Sequence, residues 1–158
     1  REYLNYIDVN SFIDWWLVHE LTGNGEPMHP KSSYMHKDKG GKLTMGPVWD
    51  FDWETFMPHS YFKNIDKIYY GKLFQDPQFK AKAKERRIEL KPKFKTIPDF
   101  ITTEAARISN SEKINHELWP IDMTVNQDVN LSFGDAVNRM KSAYNQKLEW
   151  MDKTISAW

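Results

Sequence analysis

Cysteine is absent from the 158 residues, which excludes disulfides and thiolate metal sites. Neither sign of charge is in excess, because 22 Lys and Arg balance 22 Asp and Glu. No global field draws such a chain to nucleic acid or to an anionic membrane, so nucleic acid is not an expected partner. No apolar run is long enough to span a bilayer. Internal repeats, low-complexity tracts and an internal domain boundary are all lacking. No His-x-x-x-His pair exists among the five histidines, so a helical metalloprotease site is unsupported. No Gly-x-Ser-x-Gly elbow exists either, which argues against a serine hydrolase of that kind. Arg1-Glu2-Tyr3-Leu4-Asn5 carries no initiator Met and no signal-peptide pattern, and reads as a cut inside a longer chain.

What remains is one domain's worth of residues, enough to bury a core, and rich in aromatics. Asp8 is a good N-cap for a largely buried helix over Ser11 to Glu20, with Gly23 as its stop. Trp15 and Trp16 are adjacent, so the expectation is that both cannot face one core and that one packs on something upstream. A proline-stiffened polar loop follows, from Asn24 to Lys31. A hairpin is expected next, with strands Ser32 to His36 and Lys42 to Met45 around the Gly40-Gly41 turn. Glu54 to Gly71 reads as irregular. Asp76-Pro77 opens a helix to about Lys91, where Pro92 should kink or end it. Its run from Lys80 to Arg87 reads as a solvated basic face.

Pro98 opens a helix to about Ile108 or Asn110 that buries Ile101, Ala105 and Ile108, and Ser111 caps a further one reaching Trp119. Ile121 to Leu131 reads as polar connection. Ser132 to Asp135 is a capping-box pattern. It starts a last helix whose core face is Phe133, Val137, Met140, Tyr144, Leu148, Met151 and Ile155. The fold class is mainly α with one small β-hairpin.

The chemistry concentrates in Gly46-Pro47-Val48-Trp49-Asp50-Phe51-Asp52-Trp53. A carboxylate among large aromatics is costly to bury unless something pairs with it or binds it. Two of them, one residue apart, suggest a metal ligand or a catalytic acid/base; the plainer alternative is a loop whose Asp side chains cap turns. Trp49 and Trp53 either wall the core or form a platform for a sugar or a base. His29 is placed to pair with Glu26 or to stand in solvent, and His59 is a candidate to face the Asp50 cleft.

Helix, stiff loop, hairpin and exit aspartate is also the order found in the large lobe of a protein kinase. Leu21-Thr22-Gly23-Asn24, Tyr34-Met35-His36-Lys37-Asp38, Gly41-Lys42-Leu43 and above all Pro47-Val48-Trp49-Asp50-Phe51-Asp52 resemble the spore coat protein H (CotH) kinase-like family. The Asp76-Pro77 helix and the Lys147-Leu148-Glu149-Trp150-Met151 helix resemble that family's tail. The resemblance implies the large (C-terminal) lobe of an atypical kinase that moves phosphate from ATP, with Mg²⁺, to protein hydroxyls. It implies Asp50 as the metal ligand, with Asp52 as a second ligand or an orienting group. The family's catalytic acidic position falls on Glu26, and its asparagine position falls near Lys31. Glu is one methylene longer than the usual Asp, and a shift of about 1 Å can cost on the order of a hundredfold in rate. Lys31 would repel Mg²⁺ and meet a phosphate oxygen or neutralise Glu26 instead.

A kinase also needs a Gly-rich phosphate loop and a strand lysine, and neither is present here. The implied partner is thus an upstream small lobe of the same parent chain, and these residues alone should not hold ATP tightly. The resemblance also implies a spore-coat or surface setting. The rival reading is a non-catalytic surface module that holds a glycan or a protein partner; plain scaffolding is a third. Glu26 and Asp50 converging in an open cleft beside Lys31 would favour phosphotransfer. A Lys31–Asp50 ion pair closing the pocket would favour the pseudoenzyme.

Overall fold

Helix α2 (Val9–Thr22) runs through the core of the computed structural model, which describes residues 2–28, 31–52, 54–120 and 131–158. The Asp8 carboxylate caps it, accepting from the amides of Asn10 at 3.0 Å and Ser11 at 3.4 Å. At the other end Gly23 is left-handed, with φ 67°. Its amide returns to the Glu20 carbonyl at 3.1 Å, and the Asn24 amide to the His19 carbonyl at 2.9 Å. These are the two reverse bonds that stop a helix at a glycine. Both ends match the sequence expectation.

The helix is largely buried, as expected, and only its paired tryptophans depart from the expectation. Phe12, Ile13, Trp15, Trp16 and Leu17 are all buried, and only the side bearing Asn10, Asp14 and Val18 is partly open. Trp15 stacks flat on Tyr70 at 5.8 Å. Trp16 packs on Phe74 at 4.6 Å and Phe62 at 5.4 Å. The two indoles leave the helix in different directions, and the same core meets both. The expectation that one is left over for an upstream contact is therefore overturned.

A short helix α1 (Tyr3–Tyr6) precedes α2. The hairpin pairs β1 (Met35–His36) with β2 (Thr44–Met45) antiparallel, Met35 opposite Met45 and His36 opposite Thr44. It is shorter than expected, because Leu43 and Ser32 bond elsewhere, although the Gly46 amide still donates to the Tyr34 carbonyl at 2.9 Å. Leu43 bridges to the entry of α2, donating to the Tyr6 carbonyl at 2.8 Å and accepting from the Asp8 amide at 2.8 Å. Ser32 bonds to Asp50 instead of extending the ladder. The Met45 amide donates to Ser11 Oγ on α2 at 3.0 Å. The hairpin is thus held at the N-terminal end of α2, and its exit leads to Asp50.

Irregular chain follows, as expected, until α3 (Tyr70–Leu73). Helix α4 (Pro77–Phe94) begins at the Asp76 cap but passes straight through Pro92. Proline there leaves the carbonyl of Ile88 without its amide partner. Ile88 is exposed, so water can take that bond and the helix continues. Phe79, Ala83 and Arg87 form the buried side of α4. The basic run is less solvated than expected, since Lys84 donates to the Ser156 and Trp158 carbonyls, Arg86 pairs with Asp14 and Arg87 is buried.

Helix α5 (Ile97–Leu118) is one element, not two, and Ser111 lies inside it. No Gly or Pro interrupts the stretch around Ser111, and pairs such as Glu104–Arg107 and Glu112–His116 support the exposed turns. Ile101 is buried, but Ile108 is exposed, because α5 leaves the core past its first turns. The connection expected over Ile121 to Leu131 lies, up to residue 130, outside the described residues.

Helix α6 (Phe133–Ser156) starts at the predicted cap, where Ser132 Oγ accepts from the Asp135 amide at 3.1 Å. Tyr144, Leu148, Met151 and Ile155 form its buried stripe. They join α2, α3, α4 and β2 in one apolar cluster. At about 25 cal/mol per Å² of apolar surface, each such side chain contributes roughly 1.5–3 kcal/mol when fully buried. The architecture is mainly helical with one small antiparallel hairpin, as the sequence indicated.

Candidate active site

The site is built around Asn24, the first residue past the left-handed glycine. Its side chain is buried, and both ends of its amide are engaged. Nδ2 donates to the Asp50 carbonyl at 2.8 Å, and Oδ1 accepts from the Glu26 amide at 2.9 Å. One carboxamide therefore ties the stiff loop to the hairpin exit. It brings the main chains of the two acidic residues singled out in the sequence to a common point.

Asp50 is held at its side chain as well. Ser32 Oγ donates to Asp50 Oδ2 at 2.8 Å. The backbone of Asp50 is left-handed, with φ 64°. A non-glycine residue pays about 1–2 kcal/mol to sit there, although Asp tolerates it better than most. The Asn24 bond to its carbonyl helps keep it in that conformation.

Lys31 is exposed and makes no ion pair among the described residues. The ion pair to Asp50 that would have closed the site is not formed. Asp52 is exposed, with no hydrogen bond or ion pair to another described residue. The structure thus links Glu26 and Asp50 through Asn24, while Asp52 and Lys31 stand in solvent nearby in sequence.

Among the described residues no group of three or more His, Asp or Glu is arranged to hold a metal ion by itself. Mg²⁺ is commonly held by one or two carboxylates plus phosphate oxygens and water rather than by an all-protein cage. Asp50 fits such a role with Oδ1, which takes no hydrogen bond from the described residues, while Ser32 occupies Oδ2.

Behind this layer lies a buried polar chain that the sequence reading missed. Asn64 Nδ2 donates to the Asn24 carbonyl at 3.1 Å. The amides of Asn64 and Lys63 donate to the two oxygens of Glu20 at 2.6 and 3.0 Å. Lys147 of α6 stands 3.4 Å from Glu20, and its ammonium also donates to the Tyr61 carbonyl. It lies 4.6 Å from the Trp150 ring centre and 5.6 Å from that of Phe62. Burial pushes the Glu20 carboxyl up, opposed by Lys147 and the two amides. Burial pushes Lys147 down, opposed by Glu20. The signal was available: Glu20 and Lys147 are charged residues set on otherwise apolar helix faces.

Other candidates resolve differently. His59 turns onto Gly23 and bonds the Met57 carbonyl through Nδ1 at 2.7 Å, so it closes its own loop. His19 is fully buried between Trp15, at 3.8 Å, and Phe51, at 5.0 Å. Neither of its ring nitrogens has a partner among the described residues. Burial alone lowers its pKa to about 4. Trp49 is 58% exposed, which overturns the reading that it walls the core. The expectations placed on Trp53 and on a His29–Glu26 pair lie outside the described residues.

No helix among the described residues is long and apolar enough to cross a membrane. A model of the family described as CotH kinase protein matches residues 1–151. No curated protein and no solved structure matches the chain.

Proposed function

The chain belongs to the CotH kinase protein family, and we propose that it contributes the metal and acceptor side of an ATP-dependent phosphoryl transfer to protein hydroxyls. In this reading the chain is a kinase-like large lobe. Asp50 holds Mg²⁺, which spreads the charge that develops on the transferred phosphoryl group. Asp52 supplies a second oxygen or orients the first. Glu26 adds a second acidic ligand to that cation or accepts the proton of the attacking hydroxyl. Lys31, unpaired among the described residues, meets a phosphate oxygen. A lobe bearing a glycine-rich loop and a paired lysine completes the nucleotide site.

The observation that carries this reading is the double engagement of Asn24, which joins the Glu26 amide and the Asp50 carbonyl through one side chain. A scaffold has no need to gather two acidic residues from separate loops and hold one in a left-handed backbone. The test is transfer of labelled γ-phosphate in the protein joined to its nucleotide-gripping lobe, wild type against Asp50→Ala and Glu26→Ala. Loss of labelling of about a hundredfold or more in each variant supports the assignment. Equal labelling in all three removes both residues from the chemistry.

A second reading draws on Trp49, exposed beside Asp50 with Val48 also exposed. An open indole next to a carboxylate suits the face of a sugar ring in a non-catalytic surface module. Quenching of the Trp49 emission by a glycan, together with full labelling by Asp50→Ala, would favour it. The spore-coat or surface setting that the family name suggests accords with either reading.

A further inference from the structure

We propose that Asn24 is a positioning residue that sets the placement of Glu26 relative to Asp50, so that the two acids act on one cation only while its amide spans them. The inference rests on the phosphotransfer reading for its purpose, though its geometry stands without it. Asn24 lies one residue past the helix stop, so the rigid end of α2 fixes its backbone. The Asn64 side chain holds its carbonyl at 3.1 Å. Its amide then has one donor and one acceptor directed at two different loops, at 2.8 and 2.9 Å.

An amide is suited to this task. A carboxylate would present only acceptors and repel the Asp50 carbonyl, and an apolar side chain would leave a buried carbonyl and a buried amide without partners. The donor arm also opposes the return of Asp50 from its left-handed backbone to an ordinary one. Ser32 fixes which carboxylate oxygen is left for a ligand. Asn24 fixes where that carboxylate starts from. The consequence is a coupling: losing Asn24 should weaken a cation that uses both acids far more than one that uses Asp50 alone.

The test is Mn²⁺ binding to the whole chain, read by the electron spin resonance of the free ion. Wild type, Asn24→Ala, Glu26→Gln and the double variant are compared. Asn24→Ala should weaken Mn²⁺ about tenfold in the wild-type background. In the Glu26→Gln background it should weaken it by no more than about twofold. Equal weakening in both backgrounds, or none, overturns the proposal.

A second arm needs no metal and no large cavity. Asn24→Asp keeps the acceptor for the Glu26 amide and replaces the donor to Asp50. The three-bond amide–α-proton coupling and the Cα shift of Asp50 should then lose their left-handed signature, while the amides of α2 keep theirs. An unchanged Asp50 signature overturns the proposal as well. If wild type binds no Mn²⁺ without phosphate oxygens to complete its shell, a cation shared by the two acids alone is ruled out, the labelling test still decides the phosphotransfer reading, and this second arm decides whether Asn24 places Asp50.

Discussion

Lys147 on the last helix and Glu20 on the first long one face each other 3.4 Å apart, both sealed from solvent. Their elements are far apart in sequence, and the loop that supports Asn24 hangs from the same carboxylate. Removing one partner of a buried ion pair leaves an uncompensated charge, which costs about 3–5 kcal/mol. Lys147→Met should therefore destabilise the chain by roughly that amount in urea unfolding. It should also speed hydrogen exchange at the amides of Lys63 and Asn64 beyond what the global loss explains. A change of less than about 1 kcal/mol would show that the pair is not held in the folded chain.

His19 should make the fold acid-sensitive. Its pKa is near 6.5 in an unfolded chain and about 4 in the folded one. Between those values the unfolded state binds more protons, so stability falls as the pH drops through that window. The full contribution is about 3 kcal/mol, spread between pH 6.5 and pH 4. His19→Phe keeps a flat ring between Trp15 and Phe51 and removes two buried unpaired nitrogens. The difference between the two stability curves, measured by urea titration from pH 7 to pH 4, should grow in favour of the variant as the pH falls. A constant difference would refute the assignment.

Gly23 serves two purposes, and alanine satisfies neither. Its backbone is left-handed, and an added Cβ would stand 2.4 Å from Cε1 of His59. The conformation alone costs about 1–2 kcal/mol. The clash adds to it, so Gly23→Ala should lose more than about 2 kcal/mol. Combining it with His59→Ala should recover the steric part and leave the backbone part. Full additivity of the two substitutions would mean that His59 does not rest on Gly23.

Arg87 is the cation buried on α4, 2.5 Å from Asp152 on α6 and with its guanidinium 5.2 Å from the Phe94 ring centre. Lys91 reaches the same carboxylate at 3.2 Å from a more exposed position. Asp152→Ala should cost about 3 kcal/mol, because it strands Arg87. The double variant Arg87→Leu/Asp152→Ala should regain most of that, since apolar packing replaces the pair. A double variant no better than the single one would show that packing around the guanidinium, not its charge, carries the contribution.

Local chemistry was legible in the sequence wherever a few neighbouring residues decide the outcome. The Asp8, Asp76 and Ser132 caps and the Gly23 stop all stand where short-range hydrogen bonding demands them. So does the stripe from Tyr144 to Ile155, because burial follows helical spacing. Pro92 and Ser111 misled for a shared reason. Neither decides alone: the exposed helix surface lets water take the carbonyl that Pro92 leaves unpaired, and serine keeps its amide and tolerates a helix interior.

The same division runs through the site. Asp50 and Glu26 could be singled out by residue type and by resemblance, since both lie in recognisable segments. That Asn24 joins them, that Ser32 leaves the strand to hold Asp50, and that Glu20 and Lys147 stand behind them could not be read along the chain. Apart from the Asn24–Glu26 bond, which spans two positions, those contacts connect residues from 18 to more than a hundred positions apart, and only the packing of α2 against α6 and the loops brings them within hydrogen-bond reach. Hydrogen bonds act over a few ångströms, whereas sequence order records separation along the chain. The sequence by itself therefore determined the elements and the candidate acids, and the tertiary structure alone decided which of them meet.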